Sequence, residues 1–160
     1  WYKGCNVHLV MRDHVIGAGD IVDGSGMMGE SIYGETFQDT IGYSDTHVKP
    51  WMVSLVSMPR NTDEPEIFGS QFCITMKKMQ YLDRQQMIIG KVLHGHSVLQ
   101  AVSNTGHKVE SLPTVPVRIS NCGEEQFAIN YMEEDPKKIE KQHVDWLENY
   151  HKPRLYEDEE

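Results

Sequence analysis

A mainly β fold, with short strands closed into a barrel or stacked as a sandwich around one minor helix, is what this sequence predicts. Three observations lead there. Residues 1–123 hold a series of short apolar runs separated by Gly, Pro, Ser and Asp, the spacing of many short strands. Only one short segment in that range has helical character. The 37 residues from Glu124 onward have a different composition altogether.

Val7–Met11 and Val15–Gly19 read as two strands around the turn Arg12-Asp13-His14. Met52–Val56 is a third, with Ser54 inside an otherwise apolar run, and Gln71–Thr75 and Met87–Val92 follow. Val115–Ser120 alternates well, although Pro116 confines it to an edge or a bulge. The helix fits Ser97–Val102, with Ser97 as N-cap and Val98, Leu99 and Val102 on one face. No internal repeat is visible. Beyond Asn121-Cys122-Gly123, residues 124–135 read as an acidic linker. A second helix is expected from Pro136 to about Tyr150, with Asp135 at N-cap and Pro136 at N1. It puts Ile139, His143, Trp146, Leu147 and Tyr150 on one stripe, before Lys152-Pro153 and the acidic end Glu157–Glu160. That stripe must pack, either on its own barrel or in a groove of another subunit.

Composition bounds the function. At 160 residues, 39% hydrophobic and 24% charged, the chain is one ordinary globular domain with a little left over. No run approaches the roughly 18 apolar residues of a membrane span. The net charge of −9 argues against nucleic acid as a partner. The charge belongs to the tail: residues 124–160 carry twelve acidic and five basic side chains, whereas residues 1–123 carry twelve and ten. Cys5, Cys73 and Cys122 are odd in number and lack C-x-x-C spacing, which suggests reduced thiols in an intracellular compartment, cytoplasmic or organellar, rather than a secreted disulfide framework. Trp1–Cys5 make neither a signal nor a transit peptide, and there is no initiator Met, so a fragment or an incompletely read polypeptide is expected, with room for a targeting segment upstream.

Several motifs share one resemblance. Tyr2-Lys3-Gly4, His8 and Gly19-Asp20 come first, then Gly29-Glu30-Ser31-Ile32-Tyr33-Gly34-Glu35 with Phe37. Gly69-Ser70-Gln71-Phe72-x-Ile74-Thr75, Tyr81-Leu82-Asp83, Gly90-Lys91-Val92 and Asn121-Cys122-Gly123 follow in order. From Tyr2 to Gly123 the chain resembles the cyclophilins, the barrel-shaped peptidyl-prolyl isomerases. The resemblance implies a closed cyclophilin-like β-barrel over 1–123 with a short helix; the C-terminal amphipathic helix and acidic tail at 136–160 lie beyond it. The family's first two strands and first helix are absent from this chain, so an unseen N-terminal segment or another chain is expected to complete the barrel. The loop Pro59–Phe68, which borders the family's substrate groove, is longer than usual.

Rotation about an X–Pro bond is slow because amide resonance sets a barrier of roughly 20 kcal/mol. Its transition state loses conjugation and gains a more basic proline nitrogen, so a placed donor stabilises it. In the family that donor is an arginine beside an apolar proline pocket. The resemblance puts Leu9 at the arginine, His14 and Val15 at a pocket phenylalanine and methionine, and Gly17 at the glutamine that orients the arginine. It puts Cys73 at a second phenylalanine, Tyr81 at a tryptophan and Gln86 at a rim histidine. The backbone-binding edge becomes Val56-Ser57-Met58, while Gln71 and Leu82 survive. Arg12 lies past the turn and is not expected to substitute. Losing one preorganised group costs about 10²–10³ in rate, so lost or weak isomerase activity is expected.

The expected role is therefore a non-catalytic, structural subunit of a larger protein assembly, docking through the tail stripe. The alternatives are an active folding isomerase and a reader of proline-containing peptides without turnover. No cofactor or metal is expected. Gly24-Ser25-Gly26-Met27-Met28-Gly29 spells a dinucleotide fingerprint, but Ser31–Gly34 follows it where a helix is needed. His94, His96 and His107 lack a fourth ligand type nearby. Cys73 with His14 lacks a third orienting group for nucleophilic work.

Overall fold

In the computed structural model, residues 1–38, 46–58, 67–83, 85–107 and 110–124 are described. Trp1–Cys122 is one compact unit and Gly123–Glu160 a second. All the strands and helices of the described residues belong to the first unit. The expected tail helix with Ile139, His143, Trp146, Leu147 and Tyr150 lies outside the described residues, as do the linker 125–135 and residues 59–66 of the long loop.

The fold is mainly β, as the short apolar runs predict. One antiparallel sheet is made of β1 (Val7–Met11), β2 (Val15–Ala18), β3 (Phe37–Gln38), β4 (Met52–Ser57), β5 (Ile67–Thr75) and β6 (Met87–Lys91). Hydrogen bonding runs β1-β2-β5-β4-β6, with β3 also on β5. The β1–β2 turn is closed by His14 N–H donating to Met11 O at 2.9 Å, with Asp13 at φ 59°, a conformation that Asp tolerates better than most residues. The sheet does not close into a ring: the outer edges of β1 and β6 pair with no strand among the described residues.

Several boundaries differ from expectation for identifiable reasons. β2 ends at Ala18 because Gly19 takes φ +99°, and a Cβ there would lie 2.4 Å from Ser70 O. β5 starts at Ile67, four residues early, since Gly69-Ser70 runs straight through with the backbone of Gly29 packed against it; glycine inside a strand often marks such an approach. β3 and the 3-10 turn Gln80–Leu82 have no counterpart among the expected elements. Val115–Ser120 is not a strand. It runs beside the first residues through Gly4 N to Ile119 O (2.7 Å), Ile119 N to Cys5 O (3.0 Å) and Val7 N to Val117 O (2.9 Å), with a single bridge, Asn6 to Arg118. Pro116 cannot donate to a ladder.

The helix α1 spans His96–Asn104, and its N-cap is Gly95 rather than Ser97. Gly95 at φ 80° lets the chain turn into the helix early, a conformation only glycine reaches without strain. Of the expected face, Leu99 and Val102 are half-buried while Val98 is exposed. Val10, Ile16, Ala18 and Phe68 are buried apolar residues on one face of the sheet. The other side carries the candidate site.

The glycine-rich segment 20–28 is organised around a single buried carboxylate. Asp20 Oδ1 accepts from the Val22 and Asp23 N–H groups at 3.1 and 3.2 Å. Its Oδ2 accepts from Gly26 N (2.8 Å), Met28 N (3.1 Å) and Ser25 Oγ (3.3 Å). The amides that a dinucleotide loop would turn toward phosphate are turned inward here. Gly24 and Gly26, at φ 75° and 84°, make that wrap possible.

Candidate functional site

β1, β2, β4 and β5 carry the side chains expected in the groove, and pairing register brings several together. Leu9 lies opposite Gly17, Gly17 opposite Cys73, and Cys73 opposite Ser54. Val15, Cys73, Met79 and Leu82 form a buried cluster, with Leu9 and Val56 packed on it. Beside this cluster opens a cleft of about 300 Å³, at the small end of the range typical of ligand sites. Leu9, Gly17, Val56 and Gln71 line it, together with His8, Ser25, Gly26, Ser111 and Leu112. No arginine or lysine lines it among the described residues.

Leu9 and Gly17 are sterically coupled. A Cβ at position 17 would lie 2.9 Å from Leu9 Cβ and 3.1 Å from its Cδ2, closer than packed carbons tolerate. Position 17 therefore stays without a side chain while Leu9 sits as it does. Gln71 keeps its place, but its amide is committed: Nε2 donates to Gly26 O at 3.0 Å and to Met28 O at 2.6 Å. It braces the glycine-rich rim.

The remaining expected residues spread outward. Ser57 and Met58 continue β4 along the groove edge, Met58 N donating to Ile67 O at 2.9 Å. Tyr81, on the 3-10 turn, is 61% exposed at the rim, and Leu82 beside it is buried. Gln86 reaches Cys73, its Oε1 accepting from Sγ at 2.9 Å. His14 sits in the β1–β2 turn. Its Nδ1 lies 2.8 Å from Arg12 O, so this nitrogen donates, and Nε2 accepts from Lys77 Nζ at 2.6 Å. With both nitrogens engaged there, His14 does not pair with Cys73. Arg12 turns away to donate to Asn104 Oδ1 at 3.2 Å, and it is not among the residues that line the cleft.

Burial pushes the Cys73 thiol up to about 12, only partly offset by a hydrogen bond with the Ser54 backbone. At pH 8 the thiol is then held in its protonated, unreactive form. Iodoacetamide on the native protein is expected to label exposed Cys122 and spare buried Cys73, read by peptide mass spectrometry. Equal labelling of both would refute the buried, Gln86-bonded thiol.

Residues that sequence reasoning missed are the cleft's His8, Ser25, Gly26, Ser111 and Leu112, together with Met79 in the cluster. His8 and Gly26 touch closely, a Cβ at 26 meeting His8 Cδ2 at 2.5 Å. Burial lowers the His8 pKa, which nearby Asp20 partly counters. Ser111 and Leu112 come from a chain segment with no periodicity of its own. Val10 N donating to Ser111 O at 2.9 Å ties the segment to β1, and His107 N donating to Leu112 O at 3.0 Å holds it to the end of the helix.

Comparison with known proteins agrees with the mainly β fold. The sequence model described as cyclophilin type peptidyl-prolyl cis-trans isomerase/CLD matches residues 1–124. The chain belongs to the cyclophilin-type peptidyl-prolyl cis-trans isomerase family. It is similar to peptidyl-prolyl cis-trans isomerase 11 of Caenorhabditis elegans, 32% identical over 77% of this chain and 64% of that protein. It is also similar to the NK-tumor recognition protein of Homo sapiens, 34% identical over 76% of this chain but 8% of that protein. The chain thus spans less than two thirds of the length of these relatives. Among solved structures it is similar to a cyclophilin type peptidyl-prolyl cis-trans isomerase of Cryptosporidium parvum. That structure, determined in the presence of the dipeptide Ala-Pro, is 29% identical with a TM-score of 0.67, over 76% of this chain and 74% of the other.

Proposed function

We propose that this chain is a divergent cyclophilin that no longer isomerises proline at a useful rate and serves as a structural, protein-binding subunit of a larger assembly. The observation that carries the proposal is the floor of the cleft. Leu9, which the family resemblance sets at the arginine position, is coupled to Gly17, and no cation stands among the described lining residues. A transition state that develops charge on the proline nitrogen finds no preorganised donor there. The apolar floor and polar rim still suit an extended peptide.

The tail stripe Ile139, His143, Trp146, Leu147 and Tyr150 is the docking element in this reading, with other protein subunits as partners. The three free cysteines suit a reducing intracellular compartment. No helix among the described residues is long and apolar enough to cross a membrane. Affinity purification of the full-length protein from its native source tests the proposal. A stoichiometric partner that Trp146→Ala or Leu147→Ala releases is the expected result; a monodisperse free monomer overturns it.

A second reading, a proline-peptide binder without turnover, is favoured by the Ala-Pro dipeptide present in the Cryptosporidium parvum structure. Titration with proline-containing peptides, followed by Tyr and Trp fluorescence, is expected to saturate if it holds.

A further inference from the structure

Ser54 interrupts the apolar run of β4, and the fold gives it a buried partner. Ser54 Oγ lies 2.7 Å from His47 Nε2, and His47 Nδ1 lies 2.9 Å from Asp83 Oδ1. A carboxylate only accepts, so Nδ1 carries the hydrogen, and the Ser54 hydroxyl donates to the bare Nε2. Serine, histidine and aspartate in that order resemble a nucleophile relay. Ser54 and His47 are both 0% exposed, however, and no substrate reaches the hydroxyl.

The contacts do mechanical work instead. The main chain of His47 is engaged as well: its N–H donates to the same Asp83 oxygen at 2.7 Å, and its carbonyl accepts from Met79 N at 2.9 Å. His47 therefore grips the 3-10 turn Gln80–Leu82 by the residue before it and the residue after it. Its Nε2 fastens that grip to β4. The turn carries Leu82, with Met79 just ahead of it, two of the four buried residues behind the groove. Tyr81 at the rim rides on the same turn. No sheet pairing holds these residues, because the ladder of β5 ends at Thr75.

We propose that His47 is the positioning residue of the groove, setting Met79, Tyr81 and Leu82 against the buried Ser54–Cys73 pair of β4 and β5 that backs the groove, and so the affinity for bound peptide. This rests on the reading of the groove as a peptide site. A hydrogen-bonded imidazole suits the task because it spans the gap rigidly and uses both nitrogens.

The test compares Ser54→Ala with Ser103→Ala in the full chain. Ser103 is equally buried, and its Oγ accepts from Asp13 N at 2.8 Å on the helix side. Two readouts are taken: the affinity for a proline-containing tetrapeptide and the methyl resonance of Met79 in methyl-labelled protein without peptide. Ser54→Ala is expected to move the Met79 resonance and weaken the peptide by about 3–10-fold, the effect of one hydrogen bond. Ser103→Ala is expected to leave both unchanged. An unmoved Met79 resonance in Ser54→Ala, or an affinity loss no larger than in Ser103→Ala, overturns the role of His47. If the wild-type chain does not bind the tetrapeptide, the peptide-site reading falls, and the Met79 resonance alone then decides whether His47 positions the turn.

Discussion

Replacing Asp20 by alanine is expected to lower stability by about 3–5 kcal/mol, the largest effect of any single truncation outside the apolar core. The carboxylate is 2% exposed and accepts from four backbone N–H groups and the Ser25 hydroxyl. Removing it leaves those donors in a loop that has no other acceptors placed for them, and each unsatisfied buried donor is costly. Asp20→Asn, which keeps one acceptor oxygen, is expected to fall between alanine and wild type. Asp23→Ala, which removes an exposed Asx-type contact to Ser25 N at 2.9 Å, should cost little. Chemical denaturation of the three variants checks the order.

The same group sets an acid limit. Burial pushes the Asp20 carboxyl up, but the surrounding backbone N–H groups, that of Met28 foremost, outweigh it and hold the carboxyl well below its ordinary value of 3.8. A folded-state pKa below the unfolded one means the unfolded chain takes up the proton first as pH falls. The stabilisation is therefore complete above about pH 4 and is lost progressively below it. Asp83 acts in the same direction. Burial raises it, and the hydrogen bonds from His47 more than reverse that. Stability measured between pH 7 and pH 3 should decline in wild type and decline less in Asp20→Asn.

Isomerisation of an X–Pro tetrapeptide is expected to run about 10²–10³-fold slower in kcat/KM than in an arginine-bearing relative. Leu9→Arg by itself should recover little. An arginine at 9 faces Gly17, where no side chain orients it, and an unoriented cation supplies only part of the stabilisation that preorganisation supplies. Adding Gly17→Gln meets the steric coupling, since a Cβ at 17 lies 2.9 Å from the Cβ of residue 9. The double variant should therefore lose stability, as overpacked sites do, by about 1–3 kcal/mol. A coupled-protease assay decides. A wild-type rate near that of an arginine-bearing relative would refute the reading of Leu9, and full recovery by Leu9→Arg would refute the role given to Gly17.

Much of the fold was legible because its signals are local. The β1–β2 hairpin is announced by two apolar runs around Arg12-Asp13-His14, and β4 and β6 by runs of their own. Local signals failed where the chain is governed by something distant. Gly69-Ser70 looks like a turn yet lies inside β5, because the Gly29 backbone needs the space a side chain would fill. Val115–Ser120 looks like a strand yet makes one bridge, because Pro116 removes a donor.

The groove divides in the same way. Motif order sets Leu9, Gly17, Cys73 and Gln86 at groove positions as an expectation, and the structure places Leu9 and Gly17 among the residues that line the cleft. Motif order also settled the family, since its motifs are short and follow one another. Three things needed the tertiary structure. His14 is taken by Lys77 at the turn, Gln71 is spent on the glycine-rich rim, and Ser54, His47 and Asp83 meet inside the protein. Each depends on a distance between residues far apart in the chain. Spacing along the sequence records which side chains a segment offers, whereas their partners are decided by which strands and turns pack together.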